Sequence, residues 1–355
     1  MAGPNEEILV VNPGSTSTKA AVFQGEDQRA SVAIRHPAAD LAGFPRIWDQ
    51  FTYRQKLLRE WCADNVQHPA AAVALGGLLR PVPGGTYAVN ARMLDDARAG
   101  ERGEHASNLG CALADDLARR YGCPPFVVDP VSVDEFQALA RYSGHPLIPR
   151  RSLSHALNIH AVARRAATRL GMSLADARLV VAHLGGGISV APVCGGRIVD
   201  VNDAGSGGPF SPERSGTLPL QDFITLCFSG TYNEAEVRAM VMGKGGLVAY
   251  LGTNDAAEVE ERIRRGDGRA KEVYEAMAYQ IAKEIGSMVV VLNGSLHAIV
   301  LTGGLASSTM LVEWIRMRSA FLGPLMVFPG EDEQRALAEA ALRVLRGQEP
   351  VLDYT

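Results

Sequence analysis

Short apolar runs alternate with longer amphipathic stretches along most of this chain. The apolar runs predict β-strands at ILVV, KAAVF, FVVD, LVVAHL, ISVAPV and HAIVLTGG. Helical spacing of apolar residues predicts helices near residues 44–65, 107–121, 154–171, 219–229, 268–288 and 331–346. No low-complexity tract or long linker interrupts this alternation in the sequence. The pattern therefore predicts an α/β fold.

One β-hairpin pattern occurs twice. Residues 8–26 and 179–200 share the same plan, an apolar strand, a turn of small residues, a second apolar strand and a glycine turn. A length of 355 residues also exceeds the usual size of one core, which favours two domains. The repetition suggests two related domains that each present a turn to a shared cleft, although the spacing alone also allows coincidence.

Composition and charge narrow the class of protein. The chain is 47% hydrophobic, which is ordinary for a globular enzyme, and its net charge of −4 argues against bulk binding of nucleic acid or anionic membranes. The apolar segment 287–306 is broken by polar residues and falls short of a membrane span. The start lacks the basic segment of a signal peptide. The cysteines are scattered, without the spacing of a zinc site: Cys62, Cys111, Cys123, Cys194 and Cys227. We expect a soluble, cytoplasmic protein.

The first hairpin turn, NPGSTSTK, combines hydroxyl groups with a lysine. It lacks the second glycine and the following helix of a Walker A loop. If residues 15–19 are extended, Ser15, Ser17 and Lys19 point from one face, and two hydroxyls and an ammonium in one row suit phosphate oxygens. A polar surface hairpin is the alternative. Lys19 favours the phosphate interpretation, because only five of the 35 basic residues are lysines.

Two further glycine turns follow predicted strands. Gly185, Gly186 and Gly187 come directly after LVVAHL, where backbone N–H groups can approach an anion. Gly303 and Gly304 follow HAIVLT, where an α/β sheet would place the sugar or base of a nucleotide. Each turn alone could be only a turn. Three small-residue turns at strand ends favour a nucleotide site.

A set of short motifs, spread over nearly the whole chain, resembles the butyrate kinases, in the acetate-kinase branch of the actin-like ATPase superfamily. The motifs are NPGSTSTK, GGTYAVN, HLGGGIS, GPFSPERSGTLP, GGLVAYLGTND, EAMAYQIAKEIG, LTGGLA and PGEDE. Each piece is weak, but the combination is specific.

The resemblance implies two RNase H-like α/β domains that flank a nucleotide cleft. The first would comprise residues 1–150 plus about 331–355, and the second would comprise residues 151–330. The implied enzyme is a phosphotransferase that transfers phosphate reversibly between ATP and a short-chain carboxylate, butyrate or a branched or related acid, with Mg²⁺. A homo-oligomer, a dimer or larger, is also implied.

The chemistry of this reaction matches the available residue types. A carboxylate is already ionised at neutral pH, so it needs no general base. Catalysis then consists of aligning two anions and neutralising the transferring phosphoryl group.

The resemblance also implies roles for individual positions. The first phosphate loop would comprise Asn12, Ser15, Ser17 and Lys19, and the second His183 with Gly185, Gly186 and Gly187. Gly303 and Gly304 would form the adenosine turn, and Glu331, or Glu333 if the alignment slips, the Mg²⁺-linked acid.

Three residues match the family's catalytic positions: Asp129, His155 and Arg214. His155 is expected in the first turn of a helix, where N–H groups favour anions, and the planar guanidinium of Arg214 suits a phosphate. Without the resemblance, an Asp-Pro turn, a structural histidine and a surface arginine would be the simpler interpretations. His105 matches a further histidine of the cleft.

Of the positions that depart from the family, one matters most. Leu75 stands where the family generally has an arginine that is thought to meet the carboxylate or the transferring phosphate. Loss of a charge-assisted partner should cost about 1.5–3 kcal/mol, and Arg80, five residues on, could reach back. A second hypothesis is therefore a nucleotide-binding relative with weakened or lost kinase activity that acts as a regulatory or assembly partner. The sequence does not name the preferred acid.

Overall fold

A computed structural model describes residues 6–205 and 207–355, and the chain divides into two compact units. Unit 1 comprises the described residues through Asp134 together with Asp332–Thr355, and unit 2 comprises Glu135–Glu331. None of the described helices is both long and apolar enough to span a bilayer.

Unit 1 is built on a mixed sheet of six described strands in the order β3-β2-β1-β4-β6-β5. The first three strands pair antiparallel, β1, β4 and β6 pair parallel, and β5 is antiparallel to β6. The strands are β1 Glu7–Pro13, β2 Ser17–Gln24, β3 Asp27–Arg35, β4 Pro69–Leu75, β5 Thr86–Ala88 and β6 Pro125–Val128. The α-helices of this unit are α1 Ala38–Leu41, α2 Phe51–Asn65, α3 Ala91–Ala99, α4 Leu109–Tyr121 and α12 Glu333–Leu345.

Unit 2 has a sheet of five described strands in the order β11-β10-β7-β8-β9. Its strands are β7 Arg178–Leu184, β8 Ile188–Cys194, β9 Arg197–Ile198, β10 Ala298–Gly303 and β11 Leu325–Pro329. Its α-helices are α5 Ala156–Arg169, α6 Leu220–Cys227, α7 Glu234–Val241, α8 Gly246–Leu251, α9 Ala256–Arg264, α10 Gly268–Val291 and α11 Thr309–Ser319. Short 3-10 turns occur in both units, at Ile47–Gln50, Ala106–Asn108, Ala138–Arg141 and Gly304–Ser307.

The two sheets repeat one topology. Read from β9, the second sheet is β9-β8-β7-β10-β11, and its strands have the same order and the same parallel and antiparallel senses as β3-β2-β1-β4-β6. The β-hairpin pattern that occurs twice in the sequence is therefore part of a structural repeat. This is the predicted α/β class with two related domains.

Burial explains the apolar runs. In β1, β7 and β10 nearly every residue is buried on both faces of the sheet, which produces continuous hydrophobic stretches. In unit 1, Leu9 and Val11 pack with Leu58 of α2 and Leu109 of α4. In unit 2, the long helix α10 packs against β7, β8 and α11 and contributes more buried residues to the core than any other described element.

The first crossing between units lies at Asp134/Glu135 rather than at residue 150. Glu135 belongs to unit 2 because its Oε2 accepts a hydrogen bond from the N–H of Ile198 and contacts His160 Nε2 at 3.3 Å. The Gln137 N–H donates to Val199 O in the same unit. No apolar periodicity marks these contacts, so the sequence put the boundary too late. The second crossing lies at Glu331/Asp332.

Candidate functional site

The turn after β1 presents the predicted phosphate-binding side chains. The Gly14 N–H donates to Ser17 O at 2.7 Å and closes the turn, and Lys19 pairs with Asn12 across the hairpin. Thr18 is fully buried, whereas Lys19 is exposed and Ser17 is half-buried. The expected alternation is therefore present from Ser17 onward, and Ser15 lies exposed in the turn.

Asn12 is tied to the end of the chain. Its side-chain amide donates to Glu333 Oε2 at 2.6 Å, although 321 positions separate the two residues. Glu333 is the first residue of α12, and both residues belong to unit 1. The alternative metal-linked acid thus contacts a predicted phosphate-loop residue.

Asp129 follows β6 in a conformation that few non-glycine residues adopt, with φ of 37°. Its N–H donates to Gly85 O at 3.0 Å, and the Gly85 N–H donates to its Oδ1 at 2.8 Å. The residue is nearly buried. Such strain is characteristic of functional sites, but these two bonds also give Asp129 a structural role.

Leu75 ends β4 close to the start of α4. A Cβ atom at Gly110 would lie 2.2 Å from Leu75 O, so this approach requires glycine. Nearby, Asn108 Oδ1 accepts from the Leu78 N–H at 2.8 Å, and Ser107 Oγ lies 2.6 Å from His105 Nδ1. The structure therefore brings the neighbourhoods of Leu75 and His105 together.

Arg80 does not substitute for the arginine expected at position 75. Its Nε lies 2.6 Å from Asp96 Oδ2, and its Nη2 donates to Asp96 Oδ1 at 3.1 Å. The Tyr354 hydroxyl also donates to Asp96, at 2.9 Å. This network engages the guanidinium of Arg80 on the side of α3, contrary to the expectation that it could reach back.

In unit 2, two of the predicted histidines stack. The rings of His155 and His183 lie 3.8 Å apart and nearly parallel, at 9°. His155 Nδ1 lies 2.9 Å from Ser189 Oγ, and His183 Nδ1 lies 2.9 Å from Asn158 Oδ1. His155 is the N-cap of α5 rather than part of its first turn. Strand β7, its partner β8 and the start of α5 together fix both rings.

Burial, then the neighbouring His183 and Arg214, lower the pKa of His155 well below its ordinary value. Its imidazole is therefore neutral at neutral pH and can act as a hydrogen-bonding group without adding a charge.

Arg214 packs directly over the second glycine turn. A Cβ atom at Gly187 would lie 2.1 Å from Arg214 Nη1, so glycine is needed for this contact. Arg214 Nη1 donates to Ala204 O at 2.6 Å, and the Ser211 hydroxyl donates to Gly186 O at 2.5 Å. Burial lowers the pKa of Arg214, while Glu213 and Asp203 act in the opposite direction.

The third turn meets the second. Gly303 has φ of 88°, and a Cβ atom there would lie 2.3 Å from Leu184 O, so no side chain fits. Gly303 and Gly330 exchange backbone hydrogen bonds, which places Glu331 beside the turn. Gly304 is exposed and begins the 3-10 turn.

Glu331 borders the second phosphate loop. Its Oε1 lies 3.0 Å from His183 Nε2, a buried atom without an aligned hydrogen-bond partner, and 3.0 Å from where a Cβ of Gly185 would stand. Within residues 6–205 and 207–355, no three His, Cys, Asp or Glu side chains gather into a metal-binding group. Mg²⁺ does not require one, because it is usually held by one or two carboxylates together with substrate phosphates. A half-exposed glutamate beside a glycine turn fits that type of site.

The residues that support the loops belong to no motif in the sequence. Arg54 and Gln50 lie buried behind the first turn, and Ser189 and Asn158 orient the stacked histidines. One signal was available. Arg54 is in register with Leu58 and Cys62 at a spacing of four, on the buried stripe of α2.

All predicted site residues of unit 2 thus gather at one end of its sheet. Those of unit 1 lie at strand ends and the adjoining turns, except His105, which precedes the 3-10 turn before α4. An α/β unit that occurs twice, with a turn of small residues after each of two equivalent strands, is the architecture of the actin-like ATPase fold. Residues 139–327 match the acetokinase family, and the chain belongs to this family.

Similar proteins are known along the full length. The chain is 47% identical over 352 residues to butyrate kinase 2 of Clostridium acetobutylicum, covering 98% of this chain and 99% of that protein. It is 49% identical over 346 residues to the probable butyrate kinase 2 of Caldanaerobacter subterraneus subsp. tengcongensis, covering 97% and 98%. The crystal structure of Porphyromonas gingivalis acetate kinase has the same fold, with a TM-score of 0.80 at 16% identity over 96% of this chain and 100% of that one.

Proposed function

We propose that this protein transfers the γ-phosphoryl group of ATP, reversibly, to a short-chain carboxylate, butyrate or a branched or related acid. The observation that carries this proposal is the packing of Arg214, His155 and His183 around the Gly185–Gly187 turn. The names of the full-length relatives support butyrate as the substrate class.

The proposed roles follow from the chemistry of each group. In unit 1, Ser15, Ser17 and Lys19 bind phosphate oxygens, with Asn12 beside them. In unit 2, the N–H groups of the glycine turn and the guanidinium of Arg214 neutralise charge on the transferring group. Neutral His155 donates a hydrogen bond to an oxygen of that group. Asp129 lies at a strand end of unit 1. Gly304, with nothing within 4 Å of where a Cβ would stand, leaves room for adenosine beside Gly303.

Magnesium is part of this proposal. Glu331 would hold Mg²⁺ together with the phosphates of the nucleotide, because its carboxylate borders the second loop. Glu333 is the less suitable acid, since its Oε2 already accepts from Asn12. The bound ion would neutralise phosphate charge during transfer.

The second hypothesis, a nucleotide-binding partner without useful kinase activity, rests mainly on Leu75. No contact in the described part of the chain adds to it, and membership of the acetokinase family favours the kinase.

Acyl phosphate formation tests the two hypotheses directly. Purified protein would be incubated with MgATP and each acid from acetate to valerate, plus isobutyrate, and the product trapped with hydroxylamine. We expect turnover by the unaltered protein, with a four-carbon acid as the best substrate.

Leu75→Arg provides the comparison in the same assay. Because Leu75 is half-buried at the end of β4, an arginine can extend from this position without disrupting the core. Activity only in Leu75→Arg would mean that Leu75 has disabled a kinase. If neither protein forms acyl phosphate although both bind nucleotide, the kinase proposal is contradicted.

We also propose a cytoplasmic homo-oligomer. The cysteines are all free thiols, as expected in a reducing compartment. Large apolar side chains are exposed on unit 2 around α6 and α7, among them Leu220 at 73% and Phe228 at 86%. Such surfaces usually mark contacts with another protein.

A further inference from the structure

Arg54 is the largest fully buried side chain in the described part of the molecule. It lies on α2, directly behind the first hairpin turn. Its Nη1 donates to Gly14 O at 2.8 Å and Ser17 O at 3.3 Å, and its Nη2 donates to Ser15 O at 3.2 Å. One guanidinium thus gathers three carbonyl oxygens of a four-residue turn.

These bonds determine which way the peptide groups of the turn face. In a trans peptide, the C=O and the following N–H point in opposite directions. Because the carbonyls of Gly14 and Ser15 point inward at Arg54, the N–H groups of Ser15 and Thr16 point outward, where both residues are exposed. Neither N–H group has a hydrogen-bond partner among the described residues. Two outward N–H groups beside hydroxyls form an anion-binding arrangement.

The charge of Arg54 is not neutralised by the protein around it. Across the described ranges no carboxylate pairs with it, and the remaining donors, Nε and Nη2, go to the neutral amide oxygen of Gln50 at 3.1 and 2.8 Å. Removing a cation from water without a counter-charge is costly. An arginine kept in this state supplies positive potential at the turn, and a bound anion would complete the pair.

The remaining neighbours of Arg54 are also uncharged. Its Nη1 donates to Thr18 Oγ1 at 3.1 Å, and that hydroxyl lies 2.8 Å from His36 Nε2. Burial, and then Arg54 itself, lower the pKa of His36 to about 4, so this histidine is neutral at neutral pH.

We propose that Arg54 is a positioning residue for phosphate binding: it turns the Ser15 and Thr16 N–H groups outward and provides the charge behind the turn. It does not touch the ligand itself. This inference rests on the proposed role of the first loop in binding the phosphates of ATP.

Gln50→Glu is the sharpest test, because it places a carboxylate of the same shape against Arg54. We expect the fold to be retained, with an unfolding temperature equal to or above that of the unaltered protein, since the new carboxylate would give the buried cation a partner. The affinity for MgATP, measured by calorimetry, should nevertheless fall about tenfold, while the affinity for adenosine stays unchanged. A purely structural role would leave the ratio of the two affinities unaltered.

Arg54→Lys is the second variant, and Arg59→Lys on the same helix is its control. Lysine keeps the charge but cannot span three carbonyls, so MgATP should bind about tenfold more weakly relative to adenosine. Arg59 pairs with Asp116 at the surface and should show no change in that ratio.

The outcomes separate this inference from the proposed function. If the ratio of the affinities for MgATP and adenosine is unaltered in both Gln50→Glu and Arg54→Lys, the proposed role of Arg54 is overturned, even if the protein makes acyl phosphate. An unaltered ratio in Lys19→Met overturns it too, because the loop would then not bind phosphate. A selective loss of MgATP affinity supports it, even if no acyl phosphate forms.

Discussion

Asp129 combines the features of a structural turn with a negative charge that the turn does not need. The residue holds a left-handed backbone conformation and exchanges two hydrogen bonds with Gly85. Both features would be expected of a structural turn, and the first would also be expected of a strained active-site residue. Only the negative charge distinguishes the two interpretations, because neither the conformation nor the bond to Gly85 requires it.

Asp129→Asn removes that charge alone. Asparagine tolerates positive φ and keeps an oxygen to accept from the Gly85 N–H. We expect an unchanged unfolding temperature and a fall in kcat of about 100-fold, because a catalytic charge is lost. Asp129→Ala should in addition lose about 1–3 kcal/mol of stability through the unpaired Gly85 N–H. Full activity of Asp129→Asn would leave Asp129 with a structural role only.

At the scale of elements, the second and third glycine turns are packed so closely that neighbouring atoms occupy the space of a side chain. The second turn lies under Arg214, and the third turn lies against the end of β7. A Cβ atom added at Gly303 would collide with the backbone oxygen of Leu184. A Cβ atom added at Gly187 would instead collide with the end of the Arg214 side chain, which can move. A methyl group at Gly187 therefore displaces Arg214 without breaking the turn.

Gly187→Ala is thus a test of Arg214 that leaves the guanidinium in the protein. We expect the displaced Arg214 to lose its bond to Ala204 O and kcat to fall at least tenfold, about 1.4 kcal/mol. Gly286→Ala is the control, because nothing lies within 4 Å of a Cβ there on α10. It should keep full activity and gain about 0.5–1 kcal/mol from helix propensity. Steady-state kinetics and thermal unfolding measure both, and an unchanged kcat in Gly187→Ala would contradict the role of Arg214.

On the scale of the whole molecule, unit 2 has an apolar surface around α6 and α7 that does not pack into its core. Helices α6 and α7 contain no buried residue, and Phe223, Phe228 and Met242 line a hollow that includes Leu153. A neighbouring hollow, lined by Leu147 and Ile148, also includes Leu153. The two form one surface, which fits the proposed homo-oligomer.

Phe228→Glu should disrupt that association. A charge at the surface would be desolvated on contact, so the variant should have the mass of a single 37.9 kDa chain by light scattering, while the unaltered protein has a multiple of it. Phe321→Glu is the control, since Phe321 is equally exposed, at 84%, and lies outside the two hollows. A monomeric unaltered protein would exclude the oligomer.

The sequence by itself determined the features that are local. The strands and helices that the sequence predicted, the hairpin repeat and the glycine turns all appear in their predicted places, because apolar periodicity and missing side chains act over a few residues. Strands β3, β4, β5, β9 and β11 and helices α1, α3, α7, α8, α9 and α11 were not predicted. Most of them are short, β3 is largely exposed, and β4 consists mainly of alanine, so none has a strong apolar pattern. The family motifs supplied the candidate residues, and the alternation from Ser17 to Lys19 followed from strand geometry.

Tertiary structure decided what depends on distant partners. It moved the unit boundary to residue 134, because Glu135 bonds to Ile198, 63 positions away. It engaged Arg80 with Asp96, stacked His155 on His183 and joined Asn12 to Glu333. It also buried Arg54 behind the first turn. Such contacts form only when the fold brings separate segments together. A local pattern can therefore place Arg54 on the buried face of α2, but it does not identify the partners of these residues.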